Sequence, residues 1–519
     1  MKKISKILSL SLLLLFGCKT NNISSNVSST STSTSSSSTS KIEGNKYDDI
    51  YYDGYYKANS QSVYFKDVRK SYLFKNDLPS IGNQKILVVP VKFTDSTMVE
   101  KELGGNEKVR ADIEKTFFGD DKNTGWESVS SFYKKSSYGK LNITGKVSDW
   151  CTLDMTFAQA NNMEITPNIA TPTVLLAREV GKWYLENYDD ANEYDLDNNG
   201  YIDTLWMVYD WPSEHKYKID WAHCYWDYTN EEKPSNGNPI PYTYAWASCD
   251  FMYEGQYFDK DGNALVDSRT FTHETGHALG LDDYYDTDNN HSYAGCLDMM
   301  DYNIGDHNMF SKYLLNWANP YVVTSDCEIT IRSSTETGDF ILVKDEWNHS
   351  STDEYLLIEF YTPTGLNEKD SKESYMGEYP LMYQNPGIKI YHIDARLGYF
   401  SNYRFKFYTD EILGSSSNLA YSTRVAHSNT NSQNYINGIT DTTNNLIHLL
   451  ENGGATKLHG TRVPATDETL FHEGDIFDPM NYSLCFNNSE FFNDGEFINY
   501  TIKVESINDS EATLKFTAL

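Results

Sequence analysis

One short motif near the middle of the chain constrains the fold most. It reads HETGHALGLDD from His273 to Asp283. Residues four apart on a helix lie on one face, so His273 and His277 can both offer a ring nitrogen to one zinc ion. Glu274 projects beside the metal, where it can act as a general base. Gly280 can adopt the positive φ that ends a helix, and that turn would bring Asp283 back as third ligand, with water in the fourth position.

The motif leaves the identity of the third zinc ligand undecided. An Asp oxygen binds zinc well, but its short side chain requires the backbone to come close to the metal. Asp282, Asp286 or a residue from elsewhere in the chain could take the place of Asp283. A helix with two surface histidines, each with its hydrogen bonds satisfied, is the plain alternative to a metal site.

Length and charge limit the class of protein. The chain has 519 residues, enough for two or three domains, and a formal net charge of −31 at pH 7. Such a balance argues against nucleic acid as a partner, because binding to phosphates needs clustered Lys and Arg. An acidic surface suits an extracellular protein that takes up calcium, although solubility alone also explains it.

The N-terminal residues predict export and attachment to a membrane. Lysines precede an apolar run over residues 7–16, which is too short to span a bilayer as a helix. The run ends in Leu15-Phe16-Gly17-Cys18, which resembles a bacterial lipoprotein box. This resemblance implies that residues 1–17 are a signal peptide and that Cys18 carries a lipid; an ordinary secretory signal is the alternative. Residues 18–46, rich in Ser and Thr, predict a flexible tether, so we expect the protein on the extracellular face of the membrane.

The apolar pattern after the tether predicts two structural regions. A short segment over residues 47–80 precedes an α/β unit over 81–320, and a β-rich domain follows over 321–519. Apolar runs predict strands, and three-to-four spacing predicts helices. The expected strands are 85–93, 140–145, 202–209, 354–361 and 387–393, with strand-like apolar runs also in 497–516. The expected helices are 128–138, 173–188, one that begins near Ser268 or Thr270 and carries the motif, and one from about Asp306 to Trp317.

The cysteines predict no dense covalent framework. Besides Cys18, six cysteines are scattered through the chain without a C-x-x-C pair, so a zinc ribbon is not expected. Cys224 and Cys249 lie in one aromatic segment and could form a disulfide. Buried free thiols explain them equally well.

A second motif follows the first after a short loop. Residues 298–302 read DMMDY. In metzincin peptidases a Met-turn in this place packs a methionine beneath the metal, and Met300 resembles that residue. Two ordinary core methionines are the alternative. In some metzincins a tyrosine placed like Tyr302 stabilises the oxyanion, which makes Tyr302 a candidate catalytic residue.

With both motifs, the chain resembles the immune inhibitor A-type secreted metalloproteases, a metzincin family of bacterial surfaces and secretions. The resemblance covers about 81–394 and includes the segment SFYKKSSYGKL over 131–141. It implies a metzincin-like catalytic domain of α/β (α+β) class, with a zinc helix and a Met-turn, followed by the β-rich domain. It also implies a zinc endopeptidase that hydrolyses peptide bonds of extracellular proteins. One departure is the short stretch before the first strand, where larger members of the family carry a propeptide.

A second metal site is predicted at Asp195-Leu196-Asp197-Asn198-Asn199-Gly200-Tyr201-Ile202-Asp203. Oxygen ligands at alternate positions, with Gly at the sixth, suit a loop that wraps calcium. The candidate ligands are Asp195, Asp197, Asn199, Tyr201 and Asp203. The closing Glu of an EF-hand would fall at Trp206, so the motif is not a complete EF-hand. A polar turn before a strand is the alternative.

Two other functions are compatible with these features. The chain could be a surface lipoprotein that binds a host glycoprotein and carries a vestigial zinc site. It could also be an amidase of cell-wall peptides. The intact Glu274 argues against a vestigial site, because a degenerate site often loses its base first.

Overall fold

The computed structural model describes residues 49–69, 78–120, 123–166, 171–227, 237–286, 291–401, 404–409, 419, 423–430, 444–486 and 490–519. The proposed signal peptide, the tether and Cys18 lie outside the described residues, and their assignment stays a prediction. Within the described part of the chain, no helix combines the length and apolar character needed to cross a membrane.

Short helices and many strands alternate along the chain. The helices are α1 (Phe65–Arg69), α2 (Met98–Lys101), α3 (Asn106–Phe118), α4 (Val129–Ser136), α5 (Phe157–Asn161), α6 (Pro172–Asn187), α7 (Arg269–Ala278), α8 (Met309–Leu314) and α9 (Glu368–Lys372). The strands are β1 (Ile50–Tyr51), β2 (Tyr55–Lys57), β3 (Gly82–Lys92), β4 (Leu141–Val147), β5 (Cys151–Thr152), β6 (Tyr201–Ile202), β7 (Leu205–Tyr209), β8 (His223–Trp226), β9 (Ile240–Pro241), β10 (Thr243–Ser248), β11 (Tyr321–Val323), β12 (Cys327–Arg332), β13 (Phe340–Val343), β14 (Glu354–Tyr361), β15 (Gly387–Asp394), β16 (Leu397–Ser401), β17 (Arg404–Phe407), β18 (Arg424–Val425), β19 (Ile447–Leu450), β20 (Ile476–Phe477), β21 (Tyr500–Ile507) and β22 (Glu511–Ala518). This content is mixed α+β, as predicted.

The first large sheet has the strand order β4-β3-β7-β10-β8, with β5 also beside β3. Strands β4, β3, β7 and β10 are parallel, and β8 is an antiparallel edge. Helices cover both faces, so β3 is apolar without interruption from Ile86 to Val91. Its alternate residues face opposite cores: Ile86 and Val88 pack with α3, α4 and α7, whereas Leu87 and Val89 pack with α6.

The second large sheet has the order β1-β2-β11-β13-β14-β15-β19. One face packs on a four-stranded antiparallel sheet, β12-β22-β21-β20, through residues such as Ile358 and Leu514. The other face, which includes Leu357 and Tyr391, belongs to the same core as α7 and α8. The second sheet therefore shares a core with α7, the helix that carries the HETGH sequence.

One detail was not predicted from the sequence, and another differs from the prediction. The segment before residue 81 contributes β1 and β2 to the second sheet, where β2 pairs with β11. The helix expected from Asp306 to Trp317 is only Met309–Leu314. Asn308 caps it by accepting a hydrogen bond from Ser311 N (3.0 Å), while Asp306 is held in an ion pair with Lys312 (2.6 Å).

The early end of α8 has a local cause. Asn316 adopts a left-handed φ of 62°, and Trp317 N donates to Lys312 O (2.8 Å). This is the closing pattern of a helix C-terminus, in which a left-handed residue satisfies the last carbonyls.

Candidate metal centre

Buried contacts on several sides hold α7 in place. Phe271 and Ala278 lie in the core, Trp206 Nε1 donates to Thr275 Oγ1 (3.1 Å), and Tyr133 Oη donates to Thr272 O (2.7 Å). Tyr133 belongs to the segment 131–141 that carries part of the family resemblance. These contacts fix the position of the helix in the core.

The chain turns directly after α7, as predicted from Gly280. Gly280 has a φ of 106°, its N–H donates to His277 O (2.9 Å), and Leu281 N donates to Gly276 O (3.0 Å). A side chain at this φ would be strained, so glycine is required. The turn directs Asp283 back toward the helix.

The structure brings the three predicted zinc ligands together. Asp283 Oδ1 lies 3.0 Å from His273 Nε2 and 3.2 Å from His277 Nε2. Zinc–ligand bonds of about 2.0–2.1 Å in a tetrahedron separate the donor atoms by about 3.3 Å. The observed spacing therefore fits a tetrahedral metal, and the donor set of two imidazoles and one carboxylate fits zinc. Asp283, rather than Asp282 or Asp286, completes this group.

Backbone carbonyls orient both histidines. His273 Nδ1 is 2.7 Å from Met299 O, and His277 Nδ1 is 2.8 Å from Leu281 O. A carbonyl only accepts, so each Nδ1 carries a proton, and Nε2 is the ring nitrogen that faces Asp283 and that could coordinate a metal. Hydrogen bonds of this kind fix the orientation and basicity of metal-binding histidines.

The carboxylate of Asp283 is held in its charged form beside the two histidines. Burial disfavours ionisation of Asp283, yet the two histidines keep its pKa well below the usual range. Burial also favours neutral His277, but the charge and hydrogen bond of Asp283 raise its pKa to about 10. The carboxylate thus attracts positive charge to the two Nε2 atoms, and a divalent cation there would satisfy it.

Glu274 lies beside the three converging residues. It is buried beside the ligands, and none of the described residues offers a hydrogen bond to its Oε2. Burial raises the pKa of Glu274, and the charge of Asp283 adds to this effect, while the histidines oppose it. A carboxylate with a raised pKa is a better general base near neutral pH.

Met300 packs directly beneath α7. It is fully buried, and a Cβ built on Gly276 would overlap its Sδ. The preceding residue, Met299, supplies the carbonyl that orients His273. Residues 298–302 therefore support the helix from below and hold one ligand in place.

Tyr302 is separated from His273 by the ring of Tyr285. Its ring packs on Tyr285 (centroids 5.0 Å apart), and the Tyr285 ring is 6.4 Å from that of His273. Burial raises the pKa of Tyr302. Of the two tyrosines, Tyr285 is the one whose ring packs on His273. The sequence did not indicate it.

Arg269 was also not identified from the sequence as part of the site, although its spacing from His273 indicates the same helix face. It precedes His273 by four residues and therefore lies on the ligand face of α7. Its Nη2 donates to Asp301 O (3.0 Å), which ties the start of the helix to the turn that carries Met300.

The predicted calcium loop also gathers its carboxylates. Oxygens of Asp195, Asp197 and Asp203 lie within 4.8 Å of one another. Asn199 Oδ1 instead accepts from Tyr201 N (2.9 Å). Burial, followed by the charges of Asp197 and Asp195, raises the pKa of Asp203 to about 7. Three converging carboxylates of this kind fit a calcium ion, which takes oxygen ligands.

The aromatic segment before α7 contains no disulfide. Cys224 and Cys249 are buried thiols in this part of the structure. The pairing that the sequence left open is therefore not made.

No protein-family model and no curated protein matches this chain. What the fold and the site define is an α+β protein with a buried His-His-Asp cluster of metal-binding geometry.

Proposed function

We propose that this protein is a zinc-dependent endopeptidase of the immune inhibitor A-type metzincin class, anchored by lipid at Cys18 on the extracellular face of a bacterial membrane. One observation carries the proposal. The donor atoms of His273, His277 and Asp283 converge at tetrahedral spacing beside the buried carboxylate of Glu274. Its substrates are proteins or peptides outside the cell, and calcium is proposed at the loop of Asp195 to Asp203.

The chain's own residues account for the proton transfers of peptide hydrolysis. When bound, zinc supplies a Lewis acid that polarises the scissile carbonyl and acidifies a water. Glu274 Oε2 takes the proton of the attacking water and then delivers it to the leaving amine nitrogen. The Nδ1 hydrogen bonds of His273 and His277 keep both rings in the orientation that this geometry needs. Tyr302 is the proposed donor to the oxyanion.

A zymogram on casein, gelatin and mucin tests the proposal. Clearing should depend on metal and disappear with a chelator. Glu274→Gln should keep zinc but lower the cleavage rate about 10²–10⁴-fold, because it removes the general base without changing the ligands. Glu179→Gln, at an exposed position of α6, is the matched control and should cleave at the wild-type rate.

Other results would point elsewhere. Cleavage by Glu274→Gln at the wild-type rate would refute the mechanism. Mucin that is bound but never cleaved would indicate a surface-binding lipoprotein. Chelator-sensitive hydrolysis of cell-wall peptides, without cleavage of any protein, would indicate an amidase.

A further inference from the structure

A second group of metal-binding side chains lies in the C-terminal half of the chain. His448 is on β19, His459 ends the short 3₁₀ turn Lys457–His459, and Cys485 ends the turn Ser483–Cys485. One donor atom from each residue lies within 4.8 Å of the other two. None of the three belongs to the proposed active site or to the calcium loop.

The geometry of the two imidazoles suits a shared ligand. His448 Nε2 and His459 Nε2 are 3.2 Å apart, close to the separation of about 3.3 Å between two nitrogens on a tetrahedral zinc. A hydrogen bond between the rings would explain that distance, but not the approach of a thiol to both. His448 Nδ1 is buried and has no hydrogen-bond partner in the described residues.

The surrounding residues place the cluster firmly. The ring of Tyr293 packs edge-on against both His448 and His459, with centroids 5.4 Å away in each case. Leu449 N donates to Tyr293 O (2.8 Å), which fixes the loop to β19. Cys485 N donates to Tyr482 O (2.8 Å) and closes the turn that presents the thiol.

Burial shifts the pKa values of the three side chains toward their uncharged forms. Burial, then the neighbouring histidine His459, holds the pKa of His448 well below its usual range, and burial likewise lowers the pKa of His459. Both rings are therefore neutral and keep a lone pair. Burial and then the charge of Glu451 raise the pKa of the Cys485 thiol. The thiol is therefore protonated until a cation displaces its proton.

We propose that His448, His459 and Cys485 bind a zinc ion at a site separate from the one on α7. Two neutral imidazoles and a thiolate are a donor set that zinc favours. On binding, the Cys485 thiol loses its proton to solvent and a sulfur–zinc bond forms. The metal would join β19 and two turns behind Tyr293, in the segment that leads from the zinc motif to Met300.

Cobalt(II) binding to the metal-free full-length chain tests this site. A cobalt–thiolate bond gives a charge-transfer band in the near ultraviolet, which the His273, His277 and Asp283 set cannot produce because it contains no sulfur. The wild-type chain should show the band. Cys485→Ser should lose the band together with one equivalent of cobalt, and His277→Ala should keep the band.

The controls separate this cysteine from the others. Cys151→Ser and Cys18→Ser should retain the band and the full amount of cobalt. His459→Gln, at a half-buried position, should lose one equivalent and serves if Cys485→Ser does not fold. The absence of a thiolate band in the wild-type chain, or its persistence in Cys485→Ser, would overturn the proposal. Neither result bears on the proposed peptidase, whose ligands are different.

Discussion

Gly276 provides a direct test of how Met300 supports α7. An alanine Cβ at this position would overlap Met300 Sδ and lie 3.1 Å from Met300 Cε and 3.2 Å from Tyr133 Oη. Both neighbours are fully buried, so neither can move away without disturbing the core. Overpacking of this kind costs about 1–3 kcal/mol, while alanine gains about 1 kcal/mol over glycine in a helix. Gly276→Ala should therefore lower the free energy of unfolding by about 0–2 kcal/mol.

The same substitution should act differently when Met300 is shortened. Met300→Ala alone should cost about 2–5 kcal/mol, because it leaves a cavity beneath α7. In that background the new Cβ at Gly276 enters vacated space and meets only Tyr133 Oη. Gly276→Ala should then be neutral or stabilising by up to about 1 kcal/mol. Urea unfolding followed by tryptophan fluorescence measures the four free energies of this double-mutant cycle.

A matched control is available on another helix. A Cβ at Gly181 in α6 would come within 2.6 Å of Pro241 Cδ, in a place that does not involve Met300. Gly181→Ala should therefore have the same effect with or without Met300→Ala. If Gly276→Ala destabilises both backgrounds equally, Met300 is not the residue that restricts this position, and the proposed packing is wrong.

Three further outcomes follow from the structure. Asp283→Ala should remove zinc from the α7 site and abolish cleavage of casein, while the far-ultraviolet circular dichroism stays unchanged. Cleavage at the wild-type rate would show that the third ligand is another residue. Burial lowers the pKa of His223 to about 4 from an ordinary 6.5, so folding stability should fall by up to on the order of 3 kcal/mol as pH drops through this window. The urea midpoint should therefore drop less between pH 7 and pH 4.5 in His223→Gln than in the wild-type chain. An equal drop in both would contradict the lowered pKa of His223. Calcium should raise the melting temperature of the wild-type chain more than that of Asp203→Asn. Without calcium, Asp203→Asn should be at least as stable as the wild-type chain, because it carries one carboxylate fewer. Equal shifts of the melting temperature on adding calcium would argue against the site.

Local periodicity allowed much of the fold to be predicted. The expected strand at 85–93 overlaps β3 except at Phe93, and the expected helix at 173–188 is close to α6. The limits of α8 were wrong, because they depend on an ion pair of Asp306 and on the left-handed Asn316. Apolar spacing reports which face of an element is buried, but the end of a helix depends on single contacts that spacing does not contain.

By itself, the sequence determined the ligand pair on one helix face, since the helical repeat alone brings residues four apart together. It also indicated the turn at Gly280. Only the tertiary structure decided that Asp283 reaches both histidines and that Tyr285 packs on the site. The third cluster, His448, His459 and Cys485, comes from separate segments with no common repeat. The sequence therefore contains no indication that these residues converge. Contacts between distant segments depend on how whole sheets and helices pack, which a local pattern does not specify.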